Sequence, residues 1–538
     1  MKLCLISPPM TVVSNAWRYP QVPPLGIAYL AASAREAGHD VTIVDGLDGA
    51  LGTFHPFIQG RYINGLTIDE IVQRVPRGTE VIGVSIMFSS HWPLARRLLA
   101  ALRTAFPSTT IVVGGEHVTA VTQHVFDSSP VDYAVLGEGE ETLLELLDAL
   151  CGEGTVDIRQ VEGLAYRASS TSRTDQPGAD IRLELLDNQR QGIVRTPSRV
   201  RRRNLDSIPW PAWDLFPIQD YLQVNRYHEF SDRRVMTMLG TRGCPYRCRF
   251  CSSPQMWGTN FYMRSPKDLV DEMEFYKNKY GATEFQFQDL TFVVNRRWVL
   301  RVAQEICSRN LNITWKLPAG TRSEAFDAEV LARLCQSGCR SLTFAPESGS
   351  KRVLADMLKK ADPARILELG RIVRRERIDM MISANIIIGS PKERLRDLLQ
   401  TYFYIIRLAL VGYDSILCSR FTLYPGSEYH RRSLGAGLVE YDDNYFLDME
   451  VSLASLRSGR SWHPRWSDRT IRRLTTVGYF LFFAAYYFSR PLRMLRSVIA
   501  VLRNVPRTRI EVVFAHGLIR RVRQIAALLP GRRAARSI

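Results

Sequence analysis

Twice along its 538 residues the chain alternates short apolar strands with amphipathic helices. In the first round, strands are expected at Lys2–Ser7, Val41–Asp45, Val81–Ser85, Thr110–Val113 and Tyr133–Leu136, with helices such as Leu25–Ala37 and Pro93–Ala105 between them. Short strands separated by helices make a parallel, doubly wound sheet, and ligands of such sheets bind beyond the carboxyl ends of the strands. The alternation restarts at Arg234. Strands are expected at Val235–Leu239, Phe285–Gln288, Ile313–Leu317, Ser341–Ala345, Met380–Ile388 and Asp414–Phe421, with helices such as Pro266–Tyr280 and Arg296–Arg309. Six strand–helix units predict a partial TIM-like barrel, with its chemistry at the strands' C-terminal ends.

These patterns divide the chain into an α/β Rossmann-like domain at 1–150, a connector at 151–233, a (β/α)6 barrel at 234–430 and a basic helical segment at 431–538. Residues 169–180, rich in Ser, Thr, Asp and Gly, read as a loop, and Ile208–Asp214, with its Pro and Trp residues, as an ordered crossing. The stretch Gly52–Leu66 reads as an insertion on the ligand edge of the first sheet, either a cap over that edge or a surface loop.

Charge is uneven. The net charge is +17, and residues 451–538 hold 18 Arg and no Lys against Asp468 and Glu511, so the first 450 residues are close to neutral. The apolar run Val477–Phe488 is too short to span a bilayer. Leu492, Leu495, Ile499 and Leu502 then fall at helical spacing, with Arg493, Arg496 and Arg503 elsewhere on the same helix. Two readings stand: a helical cap on the barrel with solvated arginines, or a surface for an anionic membrane or a lipid-like substrate. No RRM, KH or helix-turn-helix signature is present, so no nucleic-acid partner is expected. Nine cysteines, an odd number, and a start that reads as a strand running into prolines rather than a leader predict a reducing cytoplasm, with peripheral membrane contact through the basic segment. Cys4, Cys151, Cys307 and Cys418 are expected in the core. Gly338 breaks the i,i+4 pair Cys335 and Cys339.

The remaining three cysteines carry the chemistry. Cys244, Cys248 and Cys251 stand in Thr241-Arg-Gly-Cys-Pro-Tyr-Arg-Cys-Arg-Phe-Cys251, a C-x3-C-x2-C spacing. A structural zinc site takes four ligands, and three cysteines cannot all pair as disulfides. Three thiolates on one loop suit a [4Fe-4S] cluster with one iron free of protein, and so open to a substrate's amine and carboxylate.

This loop resembles the signature of the radical SAM superfamily, in which S-adenosylmethionine (SAM) chelates the open iron and is split to a 5′-deoxyadenosyl radical. The resemblance implies adenine contact for Phe250. It implies SAM contacts for Glu347 and Ser348, in Ala345-Pro-Glu-Ser-Gly-Ser350, and for Gly389, in Gly389-Ser-Pro-Lys-Glu393. It adds Arg322 and, more weakly, Gln288 beside Asp289. Ser348, Ser350 and Asp289 have a plainer reading as helix caps.

The first domain is similar to cobalamin-binding domains. Ser85-Ile86-Met87 is followed, after residues 88–113, by Gly114-Gly115, and the likeness extends to Pro23–Gly26, Gly38–Val41 and Gly137-Glu-Gly-Glu140. It implies cobalamin contacts at Ser85, Met87, Gly114, Gly115, Glu116, Gly137, Glu138 and Gly139. The D-x-H-x-x-G motif that supplies an axial histidine is absent, so cobalamin is expected without a protein His ligand. Together the motifs resemble class B radical SAM methyltransferases. That implies methylation of an unactivated carbon of a small-molecule or lipid-like substrate, with electrons from a flavodoxin or ferredoxin. Oxidative ring closure or rearrangement without methyl transfer is the alternative, and a non-catalytic sensor the second.

Overall fold

A computed structural model of the protein describes residues 1–13, 21–151, 157–168, 192–223, 231, 233–449, 459–502 and 511. The 169–180 loop and most of the arginine-rich tail, Arg503 included, lie outside the described residues.

The first half is built on strands β1 (Lys2–Ser7), β2 (Met10–Val12), β3 (Asp40–Asp45), β4 (Phe54–Pro56), β5 (Tyr62–Asn64), β6 (Val81–Ser85), β7 (Thr110–Gly114), β8 (Tyr133–Val135), β9 (Leu164–Arg167) and β10 (Ile193–Arg195). Seven form one sheet, ordered β10-β9-β8-β7-β6-β1-β3. β3, β1, β6, β7 and β8 run parallel. Counted in chain order these five read 2-1-3-4-5, so the topological switch falls between β1 and β6, where doubly wound sheets open a crevice. β9 and β10 add on antiparallel, so the sheet runs past residue 150 and draws two strands from the connecting segment. Both are short and flank a polar stretch, which hides them from periodicity. The Gly52–Leu66 region is folded too: β4 and β5 form a hairpin that pairs with β2, the strand that follows β1 at the ligand edge. An Arg61–Asp448 ion pair of 3.3 Å ties this small sheet to the C-terminal segment.

The second half holds β11 (Val235–Met238), β12 (Thr241–Arg242), β13 (Tyr262–Met263), β14 (Glu284–Phe287), β15 (Thr314–Thr321), β16 (Cys339–Glu347), β17 (Met381–Ile388) and β18 (Ser415–Arg420). Six of them form a parallel sheet in chain order, β11-β14-β15-β16-β17-β18, with β11 and β18 as its edges. Alternation sorts the side chains. Phe287 and Trp315 pack edge to face at 5.8 Å beneath the helices. Their neighbours Gln286 and Lys316 instead meet Glu284, each at 3.1 Å, in a buried polar cluster. Helix Pro266–Tyr280 shows why such segments start and stop where they do. Ser265 accepts the Asp268 amide at 3.1 Å, Pro266 sits in the first turn, and Gly281 closes the helix at φ +69°.

β15 and β16 run longer than expected. Pro318-Ala-Gly320 reads as a breaker, yet β15 passes through it with a register shift between Leu317 and Thr321, and β16 shifts between Phe344 and Glu347. Such irregularities re-aim side chains at strand ends.

The C-terminal segment divides. Helix Asp468–Phe488 packs on the barrel: a Cβ on Gly478 would lie 2.9 Å from Cys418 Sγ, and the Tyr479 hydroxyl accepts the Cys418 amide at 3.0 Å. Helix Pro491–Leu502 buries no residue, and its Leu492 and Leu502 are 72% and 68% exposed. No helix among the described residues is long and apolar enough to cross a membrane. Cys4 and Cys418 are buried as expected, but Cys151 and Cys307 are exposed. Cys151 follows the last turn of a helix, and Cys307 lies off the face of its helix that buries Val299, Val302, Ala303 and Ile306.

Candidate active site

The cysteine loop leaves β11 under tight local control. Asp289, just past β14, accepts the amides of Gly240 (3.2 Å) and Thr241 and the Thr241 hydroxyl. Burial pushes this carboxyl up to about 7 against those hydrogen bonds. Asp289 therefore braces the loop's entrance and caps no helix. At Gly243 (φ +89°) a Cβ would sit 2.1 Å from the Asn260 carbonyl oxygen, so only glycine passes there. Replacing Asp289 with alanine leaves those buried donors without their acceptor. The expected cost is about 2–4 kcal/mol, read as a lower unfolding midpoint, with Asp289→Asn recovering part of it.

Cys244, Cys248 and Cys251 are half-buried, and burial pushes all three thiols up. Cys251 Sγ donates to Ser253 Oγ at 3.2 Å. Among the described residues no three His, Cys, Asp or Glu side chains converge tightly enough for a single ion. Three thiols on one loop are a donor set that a [4Fe-4S] cluster can take.

The residues expected around that loop are largely brought to it. Glu347 is buried at φ +63°, outside the ordinary range for a non-glycine residue, and pairs with Lys359 at 2.9 Å. Lys359 Nζ lies 5.9 Å from the centre of the Phe250 ring. Arg322 stacks on Tyr246 at 4.0 Å and donates to Glu324 and the Lys360 carbonyl. Its Nη1 is buried without a partner, as is Gln288 Nε2. Buried donors of this kind fit an acceptor supplied by a ligand, such as a carboxylate. Ser348 is fully buried and spends its hydroxyl on Thr401 (3.0 Å) and the Ser350 amide (3.1 Å), while Ser350 caps the next helix. Gly389 has φ +88°, and a Cβ there would meet Ile471 at 2.5 Å, so its lack of a side chain admits the C-terminal helix.

The strand ends of the first sheet face this loop. A Cβ on Gly115 (φ +112°) would lie 2.6 Å from the Ile86 carbonyl oxygen, which seats Gly114-Gly115 tightly on Ser85-Ile86-Met87. Ser85 pairs in register with Gly114. Met87 and Phe88 project outward, Phe88 63% exposed, an apolar rim at the crevice mouth. Nothing crowds Gly137, whose nearest atom would be 3.9 Å from a Cβ, whereas Gly139 packs on Leu30. This rim with its glycine floor fits a broad, flat ligand. Glu138 turns to the other half, pairing with Arg201 (3.0 Å) and Arg242 (3.5 Å), while Glu140 takes Arg242 at 2.6 Å. Glu116 is half-buried, its carboxyl pushed up by desolvation, and accepts a hydrogen bond from Ser252, the residue after Cys251. His117 places Nδ1 2.9 Å from Ser89 Oγ and lies between Trp92 (4.7 Å) and Phe446 (5.4 Å). Burial takes its pKa down to about 3.

Residues 13–147 match the B12 binding domain, and residues 238–405 match the radical SAM superfamily. This is a B12-binding radical SAM enzyme. The chain is 28% identical over 443 residues to cytidylyl-2-hydroxyethylphosphonate methyltransferase of Streptomyces wedmorensis, covering 79% of this chain and 80% of that one. It is 25% identical over 453 residues to anaerobic magnesium-protoporphyrin IX monomethyl ester cyclase of Synechocystis, covering 82% and 80%. The fold matches the radical SAM methyltransferase TsrM of Kitasatospora setae, solved with tryptophan and a SAM analogue, at TM-score 0.60 and 15% identity over 93% of this chain and all of that one.

Sequence reasoning missed Lys359, Arg201 and Arg242 in this enzyme. Each works through a tertiary partner, and no local spacing announces such a pair.

Proposed function

We propose that this enzyme methylates an unactivated carbon of a small molecule, with Cys244, Cys248 and Cys251 holding a [4Fe-4S] cluster. One observation carries the reading: Ser252, beside Cys251, hydrogen-bonds Glu116, beside Gly115, so the two candidate cofactor loops adjoin. When bound, SAM would supply a radical able to abstract hydrogen, and cobalamin would supply a transferable methyl group. The protein's own residues do the holding. Arg322 and Gln288 offer unpartnered donors beside the cysteine loop, Glu347 an acceptor and Phe250 an apolar face. Gly114, Gly115 and Gly137 keep the corrin floor free of side chains, and the Met87–Phe88 rim shields it. The Glu138–Arg201–Arg242 network fixes the two halves in one relative position.

The test is anaerobic incubation of the reconstituted protein with SAM, a low-potential reductant and candidate substrates. Methylated product with 5′-deoxyadenosine and S-adenosylhomocysteine supports methylation. 5′-Deoxyadenosine without S-adenosylhomocysteine replaces it with ring closure or rearrangement, the reading that the cyclase relative favours. Neither product, across all substrates, replaces it with a sensor.

The partners we infer are a flavodoxin or ferredoxin as electron donor and, in the cytoplasm, an anionic membrane surface for the C-terminal helices. The membrane reading rests on exposed Phe480, Phe488, Leu492 and Leu495 next to an arginine-rich tail. Full-length protein should co-sediment with vesicles containing phosphatidylglycerol and not with phosphatidylcholine alone. Binding should weaken as salt shortens the Debye length from ~10 Å toward ~3 Å, and L492D/L495D should reduce it severalfold. Equal binding to both vesicles would overturn the charge argument.

A further inference from the structure

We propose that Lys359 is a positioning residue that sets the charge beside the cysteine loop. Its buried ammonium holds Glu347 in place and raises the reduction potential of the cluster that Cys244, Cys248 and Cys251 would hold. This rests on the cluster assignment made above.

The backbone goes to some length to bury this cation. Helix Lys351–Asp356 ends in a turn where Leu358 adopts φ +50° and the Lys359 amide donates to the Leu354 carbonyl at 2.9 Å. That turn inverts the usual preference: Leu358 is 42% exposed while Lys359 is 8% exposed. A left-handed leucine in water and an ammonium out of it are both unfavourable on their own. At the other end of the ion pair, Glu347 is also left-handed. Two non-glycine residues in that region, one at an end of the ion pair and one beside the other end, mark a geometry imposed by its surroundings.

The charge lies where a cluster would feel it. Lys359 Nζ stands over Phe250, between Cys248 and Cys251 in sequence. Of the charged groups acting on Cys248, Lys359 acts most strongly and favours the thiolate. Arg322 comes next with the same sign, and Glu347 opposes them more weakly. The pair is neutral as a whole, but its positive end is the stronger influence at Cys248, whereas at Cys251 the charged neighbour is Glu116. A positive charge stabilises the more negative, reduced form of a neighbouring redox group. A plain structural ion pair would leave the potential unchanged, or move it alike whichever partner were neutralised.

The experiment is EPR-monitored redox titration of the anaerobically reconstituted holoenzyme without SAM, with iron content measured on each sample. K359M should lower the reduction equilibrium about tenfold, ~59 mV for one electron, with iron content unchanged. K359R should restore it. E347Q should shift it the opposite way, and it reports independently if K359M fails to hold iron. An unshifted K359M and E347Q, or two shifts of the same sign, would overturn the proposal while leaving the cluster in place. A wild-type chain that binds no cluster would overturn the cluster assignment itself.

Discussion

Cys248→Ala, purified and reconstituted anaerobically, is expected to form no 5′-deoxyadenosine above background. The effect follows from ligand count. Three thiols hold three irons of a cubane and leave one open, and removing one thiol leaves two irons without protein ligands. The fold should survive, because Cys248 is only half-buried and its loop is braced elsewhere, by Asp289 at the entrance and by Gly243 against Asn260. Circular dichroism and the unfolding midpoint should stay near wild type while the iron-to-protein ratio falls. An alanine variant that keeps its iron and still cleaves SAM would remove Cys248 from the ligand set.

Gly115→Val should be nearly as damaging, by a different route. The position is left-handed at φ +112°, and the new Cβ would press on backbone atoms of Ile86, which cannot rotate aside. Strain and clash together should cost about 2–4 kcal/mol. The loss should concentrate at the crevice, because the seating of Gly114-Gly115 on Ser85-Ile86-Met87 shapes its floor. The measurement is cobalamin retained after gel filtration, by visible absorbance, together with the unfolding midpoint with and without added cobalamin. The variant should retain at least about tenfold less corrinoid, and added cobalamin should no longer raise its midpoint. Full retention at an unchanged midpoint would remove this turn from the binding site.

Elements with a strong period are legible in the amino-acid sequence itself. The strands of both sheets follow from apolar runs bounded by turn residues, and the cysteine loop from spacing alone. The elements that escape such reading need tertiary partners. β9 and β10 have only four and three residues and no periodicity of their own. β15 runs through Pro318-Ala-Gly320 with a register shift against β16, Leu317 pairing with Leu342 and Thr321 with Phe344. The role of Glu138 depends on Arg201 and Arg242, far away in sequence, and Ser348 depends on Thr401. Gly389 reads as ligand-facing in sequence, yet the atom that excludes a Cβ belongs to Ile471, which lies in a region whose composition speaks mainly of charge.

The contact between helix Asp468–Phe488 and β18 bears on how a partial barrel protects its open side. β18 is the sheet's last strand, and an unpaired edge is a template for joining another chain. The Tyr479 hydroxyl takes the Cys418 amide at 3.0 Å, and Gly478 lets the helix lie close over the strand. The helix is therefore an edge guard, covering by a side chain a hydrogen-bonding position that a closed barrel would cover by a further strand. A fragment stopping at residue 430 would bare that edge, along with the apolar surface around Ile388 and Ile405, and is expected to self-associate. Dissection of this protein should keep residues through Phe488.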